Sequence, residues 1–378
     1  MRKGILMTEK TKRKGNPRRR TLFRLILLAG IVAIIISYAV YSLLPDGAEI
    51  VFIAPDDNGI DQIWLANLND TENPRQLTFH DDYVYNLRSS DTGRVISYNL
   101  NSDPAAQIWI YNLDTGQHEQ ISNCTTRYCG SFYDLSSDGQ QIVYEMYDDH
   151  IPTGIAIYDI ENRESQVIQE LEVSETPYIT YPRWLEHNNL IVYVEHDLEP
   201  GVHSNDHIFF DLETHQTEAR DLVHLFTTTA SFSPYGDYYA FRDTGAIQTF
   251  VRHVDYPDEP MFDLATVHEE YDLVYSAIYD WHPDEISILL GEQWHNEDDG
   301  SQYFEINLYN IETGDHTTLV SNDNGRRYYG VGFNYNASRF IFQSYEADKQ
   351  LMLYNMDSRE LIPLPLSGHT LQWVNGGR

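Results

Sequence analysis

Residues 107–116 read QIWIYNLDTG, and residues 136–147 read SSDGQQIVYEMY. The first is an apolar and aromatic strand that runs into an Asp-Thr-Gly turn. The second is a Ser-Ser-Asp-Gly turn followed by another strand of the same kind. Aromatic and β-branched residues suit a pleated sheet, and glycine supplies the positive φ of a tight turn. Both segments recur. QIWLANL (62–68), GIAIYDI (154–160), HIFFDL (207–212), EINLYNI (305–311) and QLMLYNM (350–356) copy the first. IVFIA (50–54), VISYNL (95–100), IVYVEH (191–196), YYAFRD (238–243), SILLGE (287–292) and FIFQSY (340–345) copy the second.

Before the second segment stands a further strand that ends in a turn: SSDTG (89–93), LEHNN (185–189), SPYG (233–236), HPDE (282–285) or NYNA (334–337). Gly93 and Gly139 are 46 residues apart, and Gly139 and Gly236 are 97 apart, which is two more units. Short strands in units of this length, with no 3.6-residue period between them, predict four-stranded propeller blades. Six blades begin near Tyr85, Ser131, Tyr181, Ala230, Ala277 and Tyr329. LQWVNG (371–376) reads as the first strand of a seventh, whose second and third strands are IVFIA and QIWLANL at the other end. Pairing the two ends closes the ring and removes its open edges. The expected fold is therefore an all-β, seven-bladed β-propeller preceded by one transmembrane helix; six or eight blades is the competing count. Residues 244–275 are the least regular and are assigned by spacing to the outer strands of one blade.

The charge divides the chain. Residues 1–24 hold ten of its 25 Lys and Arg and one acid, Glu9. The remainder holds 15 basic and 57 acidic residues, a net charge of −42. Between the two parts, Leu25 to Leu44 is a run of twenty uncharged residues. At about 1.5 Å per residue it spans about 30 Å, the hydrocarbon thickness of a bilayer. The cationic flank predicts a cytoplasmic N-terminus and an extracytoplasmic body. The expected organisation is a basic tail (1–21), a transmembrane helix (22–44), a linker (45–48) and the propeller (49–378). The alternative is a signal peptide cleaved after Ser37-Tyr38-Ala39. The tail suits anionic lipid. So acidic a body excludes nucleic acid as a partner. Cys124 and Cys129 are expected to form a disulfide outside the cytoplasm, or else to stand as free thiols.

The repeat resembles that of the TolB-like (PD40, WD40-like) propellers. SFSPYGDYYAF (231–241) and YDWHPDEISIL (279–289) match its aromatic-S-P-D-G turn and following strand, and PRQLTF (74–79) matches its outer strand. The resemblance runs from about residue 49 to the end and implies fold rather than function. It departs from TolB in lacking the α/β domain before the propeller, so a role in the Tol system is not implied. It also departs from the peptidase relatives in lacking a hydrolase domain.

No G-x-S-x-G, P-loop, H-E-x-x-H or G-x-G-x-x-G motif is present. His187, His196, His203, His207, His215 and His224 are read as solvated loop histidines. Three sequons, at Asn69, Asn123 and Asn336, are read as chance matches. Propeller geometry puts the loops from second to third strand, and from blade to blade, on one face. These are the longer loops, where function usually sits. They carry the candidate partner-binding residues Asp56, Asp57, Asp61, Tyr128, Asp148, Asp149, Asp197, Asp206, Trp294, Asp298, Asp299, Tyr328 and Tyr329, and Tyr83 is a further ring on this face. Acids beside aromatic rings suit a basic protein patch, a glycan or a cation; the alternative is a solvated acidic surface. PDDNGID (55–61) has some character of a calcium loop without EF-hand spacing, so a divalent cation such as calcium is the one cofactor considered. The short linker predicts that the short-turn face looks at the membrane and the acidic face outward. The expected function is a membrane-anchored, extracytoplasmic protein- or ligand-binding scaffold and not an enzyme. The alternative is a metal-dependent carbohydrate-active enzyme (lyase or hydrolase) that uses the propeller funnel, for which oligogalacturonate lyase-like propellers are a precedent by resemblance of fold.

Overall fold

The structure is a computed structural model. It describes residues 48–374 apart from 91, 103–104, 124–131, 149–150, 171–177, 186–188, 197–204, 221, 223–229, 243–246, 258–261, 265–270, 323–326, 335 and 345–348. Among these residues, 28 strands form seven four-stranded antiparallel sheets.

Blade 1 joins the last strand, β28 (His369–Val374), to β1 (Glu49–Pro55), β2 (Asp61–Asn67) and β3 (Asp70–Gln76). Blade 2 is β4 (Val84–Ser89), β5 (Val95–Leu100), β6 (Gln107–Asn112) and β7 (Gln117–Gln120). Blade 3 is β8 (Tyr133–Leu135), β9 (Gln141–Asp148), β10 (Ile151–Asp159) and β11 (Glu164–Glu170). Blade 4 is β12 (Tyr178–Leu185), β13 (Leu190–His196), β14 (Asn205–Asp211) and β15 (Gln216–Arg220). Blade 5 is β16 (Ser231–Phe232), β17 (Tyr238–Arg242), β18 (Thr249–His253) and β19 (Phe262–Leu264). Blade 6 is β20 (Asp272–Trp281), β21 (Ser287–His295), β22 (Gln302–Asn310) and β23 (His316–Asn322). Blade 7 is β24 (Tyr328–Phe333), β25 (Arg339–Ser344), β26 (Gln350–Asn355) and β27 (Glu360–Ser367).

The expected seven blades and the closure of the ring are both present. Glu49 pairs with Val374 and Ile50 with Trp373, so the chain ends share one sheet. The irregular segment does supply the outer strands of blade 5, although β20 of blade 6 already begins at Asp272. No helix among the described residues is long and apolar enough to cross a membrane. Residues 1–21 and 22–44, Cys124, Cys129, Tyr128, Asp149 and Asp197 lie outside the described residues.

The burial follows from the packing of blade on blade. A middle strand is covered on both faces, so it reads as an unbroken apolar run. On β1, Ile50 and Phe52 pack with Ile341 and Leu353 of blade 7. Val51 and Ile53, on the other face, pack with Ile96 and Tyr98 of blade 2. Alternation along one strand thus serves two seams. Each such side chain contributes about 1.5–3 kcal/mol on burial. The fourth strands are the rim, and there β7 and β15 are almost wholly exposed.

Polar staples add direction to the seams. The indole N–H of Trp184, Trp281 and Trp373 donates to the carbonyl of Asp134, Ser231 and Gly332, each on the first strand of the preceding blade, at 3.2, 3.2 and 2.8 Å. Asp134 and Asp280 each accept the backbone N–H of the next blade's first strand, from Trp184 at 3.1 Å and Phe333 at 2.8 Å.

The turns between first and second strands hold their last residue at positive φ. Gly93, Gly139, Asn189 and Gly236 meet this need as glycine and asparagine should, but Glu285 (φ 64°) and Ala337 (φ 51°) also occupy it. Glu285 gains from its position: its carboxylate accepts the Ser233 hydroxyl at 3.1 Å and the backbone N–H of Tyr235, both in the turn of blade 5. At Gly139 the glycine is needed for space as well, since a Cβ there would stand 2.9 Å from the Ser90 side chain.

Candidate functional site

The β1–β2 turn, on the longer-loop face, is built around Asp56. Its Oδ1 accepts the backbone N–H of Asn58 at 2.8 Å and of Ile60 at 3.0 Å. These bonds, Ile60 first, hold the carboxyl below its ordinary range. Asp56 therefore serves its own turn, and Asp57 is the exposed acid at the tip. Asp61 opens β2 and meets the His369 ring at 3.2 Å across the closing blade. Asp148 ends β9, and Asp206 pairs with Glu195 between β13 and β14. Asp298 and Asp299 are exposed in the β21–β22 turn, where Asn296 Oδ1 accepts both backbone N–H groups. Asp299 in turn accepts the Ser301 N–H at 2.8 Å, and the bonds from Ser301 depress its carboxyl.

The aromatic part of the expectation changes. Trp294 is 2% exposed and Tyr328 is 9% exposed, so neither offers its ring to solvent. Trp294 stacks on Tyr303 within blade 6. Tyr328 packs edge-on against Phe304 and Phe342, and its carbonyl accepts the Tyr279 hydroxyl. Both lie where strand alternation turns a side chain into a seam. Tyr329 is half-buried. Tyr83, also named on this face, is 49% exposed, and Phe79 beside it is 77% exposed, both in the connection from blade 1 to blade 2 with exposed Asp81 and Asp82 between them in sequence. PRQLTF matched an outer strand ending in Leu77-Thr78, but β3 stops at Gln76.

Nearer the axis, the first strands line a channel. Arg88, Asp134, Arg183, Ser231, Asp280, Gly332 and Gln372 hold equivalent register positions on these strands. Asp134 lies between two arginines, 3.8 Å from Arg88 Nε and 4.0 Å from Arg183 Nη1. Toward the loop face, Glu145 on β9 is fully buried. It accepts the Tyr147 hydroxyl at 2.6 Å and the Tyr181 backbone N–H at 2.7 Å. Burial outweighs those bonds and lifts its pKa to about 7. Phe132 meets the Tyr181 ring edge-on at 4.4 Å. Across the mouth, the Arg242 and Arg327 guanidinium groups lie over the ring of Tyr275 at 5.8 and 4.9 Å.

Among the described residues, no group of three or more His, Cys, Asp and Glu is placed to hold a metal ion. Asp56, the first acid of the calcium-like stretch, has already committed an oxygen to backbone.

No protein-family model and no curated protein matches the chain. Solved structures do. TolB from Acinetobacter baumannii is 14% identical with a TM-score of 0.50, over 90% of this chain and 71% of that one. An oligogalacturonate lyase in complex with manganese is 15% identical with a TM-score of 0.56, over 86% and 87%. An oligogalacturonate lyase from Vibrio parahaemolyticus is 15% identical with a TM-score of 0.53, over 88% and 90%. The chain has the TolB-like propeller fold.

In this TolB-like propeller the sequence repeat sorted the loops and did not point to the residues at the mouth. Glu145 had one available signal. In QIVYEMYD (141–148) it alternates with Val143, a fully buried position, so an acid stands where the pattern demands an apolar side chain. Arg242, Tyr275 and Arg327 had no such signal, because they come together from three blades.

Proposed function

We propose that this chain is a membrane-tethered, extracytoplasmic propeller that binds a partner protein through its acidic loop face. The observation that carries the reading is the exposure of Phe79 and Tyr83 beside Asp81 and Asp82. Large rings left in water on a rigid frame are characteristic of contact surfaces, and the flanking carboxylates select a basic partner. The net charge of −42 beyond residue 24 supports the same complementarity. The tether rests on Leu25–Leu44, with its cationic flank on the cytoplasmic side.

The test is cross-linking and recovery from native membranes, comparing the parent chain with F79A/Y83A/D81K/D82K. A partner captured by the parent and lost with the variant supports the reading; equal recovery from both defeats it. One observation favours the enzyme reading: burial beside the channel raises the Glu145 pKa to about 7, the range of a general acid or base. Turnover of a polysaccharide panel by the parent chain, abolished in E145Q and sensitive to EDTA, would support that alternative.

A further inference from the structure

We propose that Arg242 and Arg327, gathered on the ring of Tyr275, form an oxyanion-binding site at the loop-face mouth of the channel, taking a carboxylate or phosphate group. The site does not depend on the partner-binding reading above. Its members come from three blades. Arg242 ends β17 of blade 5, Tyr275 lies near the loop-face end of β20 in blade 6, and Arg327 immediately precedes β24 of blade 7. Two of these elements, β20 and β24, are first strands, which border the channel.

Cations are scarce in this body, with 15 Lys and Arg against 57 acids. Arg88, Arg94, Arg163, Arg183 and Arg220 have each found a carboxylate. Arg242 and Arg327 have none within salt-bridge distance among the described residues. Their fixed contacts are neutral. Arg327 Nε donates to Gln293 Oε1 at 2.6 Å, and Arg242 Nη1 donates to the Ser276 carbonyl at 3.3 Å. Gln293 is itself buried, so it fixes the plane of the Arg327 guanidinium.

Each guanidinium carries five N–H donors, and among the described residues each places one on a fixed partner. The rest remain for a ligand. Two like charges held over one ring make the mouth locally positive, and an oxyanion that reaches either guanidinium accepts forked, charge-assisted hydrogen bonds. Both guanidinium groups already occupy the Tyr275 ring, so the ligand is recognised by charge and fork geometry rather than by stacking.

The test uses the full chain in detergent micelles. Sodium acetate and sodium phosphate are titrated separately against sodium chloride at matched ionic strength, and tyrosine difference absorbance and the thermal midpoint are followed. Saturable binding of at least one of the two oxyanions is expected. A stronger acetate response identifies the carboxylate as the group recognised, and a stronger phosphate response identifies the phosphate. R242Q and R327Q should each weaken binding tenfold or more, and the double variant should not saturate. R94Q, on the short-turn face and paired with Asp114, should titrate like the parent. The site is refuted if chloride gives the same response, or if R242Q and R327Q keep their thermal midpoint and still bind with parental affinity. Should the double variant fail to fold, the two single variants decide the matter.

Discussion

The Glu145 carboxylate in blade 3 accepts the backbone N–H of Tyr181 in blade 4 at 2.7 Å, and Tyr181 offers that N–H from a left-handed φ of 59°. A buried acid and a strained backbone thus meet across one seam. Neither is a natural choice for a β-strand interior; Asn86 and Thr370 hold the same left-handed position on two other first strands, and among the described residues only Tyr181 meets a buried acid there. The positive φ belongs to a bulge in β12, where the register against β13 shifts between Thr180 and Arg183.

This pairing predicts how stability depends on pH. The folded-state pKa of Glu145, about 7, lies above its ordinary 4.5, so the folded protein holds that proton more tightly than the unfolded chain. The contribution from Glu145 is therefore greatest below pH 4.5, declines between 4.5 and 7, and is level above that. At about 1.4 kcal/mol per unit the full effect is roughly 3 kcal/mol. E145Q keeps a carbonyl acceptor without the charge. It should be more stable than the parent at pH 8 and equal to it near pH 4.5, as measured by thermal midpoints across that range. Parallel midpoint curves for the two proteins would rule this out.

A second network works in the opposite direction. The buried Tyr98 hydroxyl lies 3.0 Å from His80 Nε2 and 3.1 Å from His118 Nδ1. Burial holds both imidazoles below their ordinary 6.5. Their neutral forms favour the fold above pH 6.5, and that contribution is lost as the pH falls below it. Y98F leaves the half-buried His80 nitrogen without that hydroxyl, while the exposed His118 ring turns to water, and should cost about 1 kcal/mol at pH 8 by urea unfolding. A change under 0.5 kcal/mol would mean that water replaces the hydroxyl at no cost.

Ring closure should be decisive for solubility. Trp373 pairs with Ile50 and staples blade 1 to Gly332. W373A removes a buried indole and should lower stability by about 3–5 kcal/mol. Removal of residues 369–378 should do more, because it leaves β1 as an open edge ready for intermolecular pairing. Light scattering during purification would reveal the resulting aggregation; a monodisperse truncated chain would contradict the prediction.

One substitution should stabilise. Ala337 occupies φ 51° in the turn before β25. Glycine relieves that strain, offset in part by its greater freedom when unfolded, so A337G should gain about 0.5–1 kcal/mol by urea unfolding. The same change at Glu285 should destabilise instead, because it deletes the bonds to Ser233 and Tyr235.

The sequence by itself determined the number of blades, the four strands in each, the closure of the ring and the sorting of loops into two faces. All of these are periodic, and a period is local: alternation by two marks a strand, a Gly or Asn marks a turn, and a 46-residue unit marks a blade. What alternation cannot state is which neighbour covers a given side chain. Trp294 and Tyr328 were placed on the right face of the propeller and still proved to be buried, because a blade's surface is its neighbour's core. Tyr83 on the same face is exposed, and so is Phe79, which the pattern assigns to an outer strand. Only the tertiary structure set Glu145 under Tyr181, and Arg242 and Arg327 on Tyr275. These contacts join residues 33 or more positions apart through the stacking of separate sheets. The repeat builds the frame, and the residues that break the repeat are brought together only when the ring closes.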